Sequence, residues 1–288
     1  MSKELLLIKK DLYLNEFINK YKLSDEYIEA NINKFLRVLA SRSRCQKCKG
    51  LYECVQNSKG ERFDIKYDGV ILQEIEYCDY ALSKLKKDNL TKAYVYCDIP
   101  DSLKDICLDK VKYTDKQKNL VGKLSLILNN DTNKGLYISG KLGVGKTYLC
   151  AALANSLVKK GEKVAFVKVS NFFNVMKSYL SSNSDLFDQK ISDLQKVKYL
   201  ILDDIGSEAV SEFVRDDILF RILDYRLENK LTTIFTSNLS IEDLKEHYTY
   251  DRKDKANSTK AERLVERIEI LSEEYVLDGE NLRRKNND

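Results

Sequence analysis

Gly140-Lys-Leu-Gly-Val-Gly-Lys-Thr147 constrains this chain more than any other run. It satisfies G-x-x-x-x-G-K-[ST] at each fixed position, a pattern that has meaning only between a buried strand and a helix. Both neighbours are present. Gly135-Leu-Tyr-Ile-Ser-Gly140 reads as a short apolar strand entering a Gly turn, and Tyr148–Lys160 reads as a helix ended by Gly161. Gly140, Gly143 and Gly145 let the backbone wrap a phosphate with its N–H groups, and the helix points its positive end at the same anion. Lys146 is spaced to reach the outer phosphates and Thr147 to offer a hydroxyl to Mg²⁺. Val144 and Tyr148 complete the nucleotide-binding run.

Downstream, apolar strands alternate with amphipathic helices. Val164–Val169, Tyr199–Leu202, Thr232–Phe235 and Tyr275–Leu277 follow the first strand. Continuous apolar strands separated by helices imply a parallel α/β sheet covered on both faces. Tyr199–Leu202 delivers Asp203 and Asp204 at its C-terminal end, where open α/β sheets hold ligands. Asp203 is expected in the Mg²⁺ shell and Asp204 beside the attacking water; standing alone, the pair would equally cap a strand. Asn238, after Ile234-Phe-Thr-Ser, is placed to hydrogen-bond that water or the γ-phosphate. Arg263 and Arg267 share one helix face at i, i+4. An arginine at a subunit boundary can stabilise charge on a transferred phosphoryl group, although the same spacing suits a solvated helix paired with Glu262, Glu266 and Glu269.

Composition narrows the class. Among 288 residues, 49 Lys+Arg oppose 45 Asp+Glu, so a polyacidic or polybasic tail protein is excluded. A hydrophobic share of 43% is too high for a disordered chain. No run approaches a membrane span, and the N-terminus lacks a signal-peptide pattern, so a cytoplasmic protein is expected. The single His, His247, disfavours multi-histidine metal sites and Ser-His-Asp chemistry.

The first third reads as helical and charged. Leu5, Ile8, Leu12, Phe17 and Tyr21 recur at helical spacing over residues 2–22. Ser24–Ala40 does the same, with Ser24, Asp25 and Glu26 at its start. Strand-like runs follow at Arg62–Tyr67 and Val70–Ile75. Between the helices and these runs lies Cys45-Gln-Lys-Cys48-Lys-Gly-Leu-Tyr-Glu-Cys54. Two thiolates two residues apart can grip Zn²⁺, and a third completes most of a tetrahedral shell. Cys78 is the expected fourth ligand, with Cys97 and Asp64 weaker choices; a redox pair or free thiols are the alternatives. Pro100 marks a boundary region over residues 90–105. The chain is therefore read as a mostly helical, zinc-binding domain (1–95) followed by a P-loop α/β domain (96–288).

In chain order, the phosphate loop, Leu202-Asp-Asp-Ile-Gly206, Thr236-Ser-Asn238 and Ala261-Glu-Arg-Leu-Val-Glu-Arg267 resemble the AAA+ ATPases of the bacterial helicase-loader class. Glu208, Arg215-Asp-Asp and the near-terminal Gly279-Glu-Asn-Leu-Arg283 add to the resemblance, which covers about residues 95–288. It implies that Gly140–Thr147 is a Walker A loop, Asp203 and Asp204 Walker B, and Asn238 sensor 1. Arg267 is then the arginine finger, with Arg263 beside it, and Arg283 is sensor 2-like. The second Walker B acid is Asp rather than Glu, and no room is left for a C-terminal helical lid. Loaders of this class are also similar in carrying an N-terminal zinc domain that contacts the helicase. They place a histidine after the third cysteine; this chain has none there.

The resemblance implies ATP, Mg²⁺ and Zn²⁺ as cofactors. It implies the replicative helicase hexamer, single-stranded DNA and other primosome proteins as partners, with self-association through the ATPase domain. Phe172, Phe173, Lys177 and Tyr179 are candidates for stacking on single-stranded DNA, the two Phe also suiting a core helix. The alternatives are a transposition-helper ATPase, a small-molecule P-loop kinase, and an adaptor that binds nucleotide without useful hydrolysis.

Overall fold

The computed structural model describes residues 2–250 and 258–282. The chain divides into two compact units, Met1–Asn89 and Leu90–Asp288.

The first unit opens with four helices, α1 (Lys3–Lys10), α2 (Leu12–Tyr21), α3 (Asp25–Ala30) and α4 (Ile32–Cys45). The sequence suggests two longer helices here, and local chemistry divides them. The Asp11 carboxylate accepts from Leu14 N–H and caps α2 as a new start. That break resets the helical phase: Leu14 and Ile18 turn inward, while Leu12, expected in the core, is 82% exposed. Ser24 caps α3 through Tyr27 N–H, with Asp25 and Glu26 in the first turn, as its sequence predicts. Asn31 then separates α3 from α4. Strands β1 (Glu61–Tyr67) and β2 (Ile71–Tyr77) form an antiparallel hairpin with Phe63 opposite Ile75. Ile65 and Ile71 join Leu5, Ile8, Leu14, Ile28, Phe35 and Val38 in a separate small core. Helix α5 (Asp79–Ala93) contains the division between units.

The second unit is a six-stranded, wholly parallel sheet in the order β3-β5-β6-β7-β4-β8. Its elements are β3 (Tyr94–Cys97), α6 (Lys118–Leu128), β4 (Gly135–Ser139), α7 (Lys146–Lys159), β5 (Val164–Lys168), α8 (Val169–Ser182), α9 (Ser184–Lys196) and β6 (Tyr199–Ile205). A π-helical segment, Phe213–Phe220, runs into α10 (Arg221–Glu228). There follow β7 (Thr233–Ser237), α11 (Ile241–Thr249), α12 (Ser258–Leu271) and β8 (Ser272–Val276). Alternation along each strand feeds two cores. On β6, Leu200 and Leu202 enter the core beneath α8–α12, while Tyr199 and Ile201 enter the core beneath α6 and α7. The sheet is thus buried on both faces, as continuous apolar strands require.

Strand β3 is the sixth, which the sequence reading does not contain. It pairs with β5, so the division falls at Asn89/Leu90, ahead of the residue-95 boundary drawn from the sequence. The polar run Asp251–Lys260, read as a loop, lies outside the described residues through residue 257, and Ser258–Lys260 instead begin α12. Phe172 and Phe173 are 2% and 3% exposed, packed in the core beneath α8, so neither ring can stack on a base. Among the described residues no helix is long and apolar enough to cross a membrane.

Candidate nucleotide-binding site

The phosphate loop leaves the C-terminal end of β4, and β7 and β6 lie beside it in that order. Parallel pairing therefore brings the ends of these three strands together, where their polar residues meet. Gly140, Gly143 and Gly145 adopt φ of 147°, 81° and 100°, and α7 begins at Lys146. Gly143 has a second reason to lack a side chain: a Cβ there would lie 2.2 Å from Asn281 Oδ1.

The side chains expected to act together are hydrogen-bonded near one another. Lys146 Nζ donates to Asn238 Oδ1 at 2.8 Å and to the Gly140 and Lys141 carbonyls at 2.6 and 3.0 Å. Thr147 Oγ1 donates to Asp203 Oδ1 at 2.9 Å. Asn238 Nδ2 donates to Asp204 Oδ1 at 3.0 Å. A hydroxyl and a carboxylate in contact form the hard-oxygen pair that Mg²⁺ takes beside phosphates, so these residues fit ATP·Mg²⁺. Val144 is buried; Tyr148 accepts from Lys112 N–H at 3.4 Å.

The two aspartates differ. Asp203 is 4% exposed, and burial raises its pKa above the ordinary 3.8 despite hydrogen bonds from Thr236 and Thr147. Asp204 is one of the few non-glycine residues with positive φ, at 64°. The β6–β7 register shifts between Leu202 and Ile205. This irregularity lets two successive carboxylates face the site, where an unbroken strand would point them to opposite faces.

Sequence reasoning missed several supports. Thr236 Oγ1 donates to Asp203 Oδ1 at 2.7 Å and accepts from Asp204 N–H at 2.9 Å; it stood in the Thr-Ser-Asn run, but only Asn238 was assigned. Gln117 Nε2 donates to the Val144 carbonyl at 2.8 Å, holding the phosphate loop from outside. Its only signal was a capping-box spacing from Thr114. Leu282 N–H donates to the Gly143 carbonyl at 3.0 Å, so the Gly279–Leu282 run reaches the same loop. Arg283 lies outside the described residues.

Arg267 and Arg263 lie on α12, both guanidinium groups 4.9 Å from the Phe220 ring. Arg267 also pairs with Asp224 at 3.1 Å and Glu266 at 2.8 Å. Phe220, Asp224 and Glu266 lie on the π-helical segment, α10 and α12, and none belongs to this chain's phosphate loop.

Among the described residues no group of three or more His, Cys, Asp or Glu side chains is arranged to hold a metal ion. Three of the thiols have local hydrogen bonds. Cys48 Sγ donates to the Gly50 carbonyl at 3.4 Å, and Cys45 Sγ accepts from Gln56 Nε2 at 3.2 Å. Cys54 Sγ accepts from Gly60 N–H, and backbone donors lower its pKa. Cys78 joins the same turn through its backbone N–H to the Gly60 carbonyl. Of the weaker choices, Asp64 is held by Tyr13 Oη at 2.6 Å and Cys97 is exposed on β3.

A family model described as IstB-like ATP binding protein matches residues 99–288. The chain belongs to this family. The replicative helicase loader DnaI of Bacillus subtilis (strain 168) is 29% identical over 294 residues, spanning 96% of this chain and 91% of that protein. The loader DnaC of Escherichia coli (strain K12) is 31% identical over 106 residues, 37% of this chain and 43% of that one. The crystal structure of DnaI matches with a TM-score of 0.56 and 31% identity, over 67% of this chain and 98% of its own. The expected likeness to helicase loaders is thus found, and the DnaI match extends it into the first unit, beyond residues 95–288.

Proposed function

We propose that this chain is an ATP-dependent loader that places a replicative DNA helicase on single-stranded DNA. The observation that carries this reading is the match to DnaI over both units, which favours it over the transposition helper, the kinase and the adaptor. The nucleotide site supports it, since Lys146, Thr147, Asp203, Asp204 and Asn238 stand in one hydrogen-bonded set joined through Thr236.

In this reading Lys146 binds the outer phosphates, Thr147 and Asp203 hold Mg²⁺, and Asn238 and Asp204 orient the attacking water. The ion, when bound, neutralises charge on the β- and γ-phosphates. Arg267, with Arg263 beside it, acts on the site of a neighbouring subunit, which requires Asp224 to release it; hydrolysis is therefore slow without partners. Arg283 is assigned to the nucleotide as a sensor 2-like residue. The first unit contacts the helicase hexamer, and the ATP state switches the loader's grip on helicase and single-stranded DNA. Other primosome proteins and a cytoplasmic location belong to the same reading. Zinc at Cys45, Cys48, Cys54 and Cys78 rests on the C-x₂-C-x₅-C spacing and the N–H donor on Cys54. Elemental analysis of the purified chain tests it, and a metal content near zero would remove it.

Native mass spectrometry of the full chain with the host's replicative helicase, with and without ATP·Mg²⁺, tests the main reading. A complex on the helicase hexamer whose occupancy changes with nucleotide is expected. No complex under either condition would leave an ATP-binding protein of another purpose.

A further inference from the structure

Beyond the residues that meet nucleotide, a buried polar chain grips the other side of the Asp204 turn. Gly206 N–H donates to Glu208 Oε2 at 2.9 Å. Glu208 is 6% exposed, and its Oε1 accepts from the hydroxyl of Tyr248, which is fully buried on α11. Tyr248 is itself anchored: its carbonyl accepts from Arg215 Nη1 at 3.1 Å. Arg215 is 1% exposed and pairs with Asp216, whose carboxylate also takes Lys260 of α12 at 2.8 Å. A buried Glu–Tyr pair carries a desolvation cost that a Leu–Phe pair of similar volume would avoid. Stability alone does not account for it.

The turn it holds does. Asp204 sits in the left-handed region, a conformation that costs a non-glycine residue about 1–3 kcal/mol and persists only when its surroundings over-determine it. Thr236 and Asn238 fix Asp204 from β7. Glu208 fixes Gly206, two residues on. Helix α11, which presents Tyr248, directly follows β7 and Asn238. The turn is therefore clamped at both ends by one strand–helix unit.

We propose that Glu208 and Tyr248 are positioning residues for ATP hydrolysis, holding the Asp204 carboxylate where it meets the attacking water. This rests on the hydrolysis reading above. Neither residue touches the phosphate loop, so nucleotide binding and turnover should separate.

The test uses the full chain with single-stranded DNA and the host's replicative helicase. Tyr248→Phe removes one hydroxyl, Glu208→Ala removes the clamp, and Glu208→Gln keeps its size and one acceptor. Affinity for a fluorescent ATP analogue and kcat at saturating ATP·Mg²⁺ are measured below the melting temperature of each variant. Tyr248→Phe and Glu208→Ala should lower kcat about tenfold, the size of one lost hydrogen bond in the transition state, with affinity changed less than about twofold. Glu208→Gln should recover most of kcat. If Glu208→Ala does not fold, the other two variants carry the test. A lowered melting temperature with wild-type kcat would overturn the proposal, as would kcat and affinity falling together. If the wild-type chain itself does not turn over while still binding nucleotide, the hydrolysis reading fails and this inference goes with it. If wild type turns over and the variants match it, only the inference fails.

Discussion

Lys146 shows how one side chain can be held ready for a ligand. Lys146 is 7% exposed, and its ammonium group is bound by two loop carbonyls and Asn238. A charged donor in so little water interacts strongly with phosphate. Lys146→Ala should weaken ATP binding at least about tenfold while circular dichroism stays unchanged, because a charge-assisted contact of about 1.5–3 kcal/mol is removed. Asp203 gives a pH prediction. Burial raises its pKa above 3.8, so protonation competes with Mg²⁺ at a higher pH than for an exposed aspartate. Mg²⁺ affinity in the presence of ATP should fall as pH is lowered toward that raised value, beyond the fall that protonation of ATP's own terminal phosphate causes in free solution. Asp203→Asn should bind weakly and lose this excess; an undiminished excess in that variant would assign the titration elsewhere. The effect on folding has the opposite sign. The folded state holds this proton more readily than the unfolded chain, so the burial cost is present above the folded-state pKa and relieved as pH falls through it.

The elements that carry the nucleotide site were legible because their signals are local. The phosphate loop is contiguous, and Tyr199–Leu202 ends in its two acids, so neither needed tertiary information. Strand β3 was not legible. Tyr94-Val-Tyr-Cys97 is four residues long, and it is a strand because β5 lies beside it. The breaks at Asp11 and Asn31 were hidden for a related reason: apolar spacing continues across them, and only the caps betray the change of phase. Glu208 and Tyr248 are forty residues apart, a separation no motif bridges. Arg226 is similar. It is fully buried, and its guanidinium donates to the carbonyls of Leu194, Val197 and Thr232 and to Thr233 Oγ1. It thereby ties the end of α9 and the entry to β6 to the start of β7. Arg226→Met fills most of the volume but leaves those carbonyls without donors. It should destabilise the second unit by about 3–5 kcal/mol in urea unfolding. A loss below about 1 kcal/mol would mean that water replaces the guanidinium.

At the scale of the whole molecule, the three cores are built from two separate stretches of chain. The first gathers Leu5 through Ile71, and the sheet's two cores gather Ile99 through Leu277. Cooperative unfolding follows shared burial, so units with separate cores should melt separately. The residues assigned to nucleotide all belong to the second. A ligand that binds the folded form stabilises it by RT ln(1 + [L]/Kd), about 2.7 kcal/mol at one hundred times Kd. For a unit of roughly two hundred residues each kcal/mol moves the midpoint by about 2–4 °C, so saturating ATP·Mg²⁺ should raise one transition by about 5–10 °C. Differential scanning calorimetry of the full chain should show two transitions, of which ATP·Mg²⁺ moves only the larger in enthalpy. Lys146→Ala should keep both transitions and lose the shift. A single transition that moves as a whole would mean that the first unit is stabilised through the second. The first unit, proposed to bind the helicase, would then be thermodynamically tied to the nucleotide site, and the proposed division of labour between grip and switch would have to be redrawn.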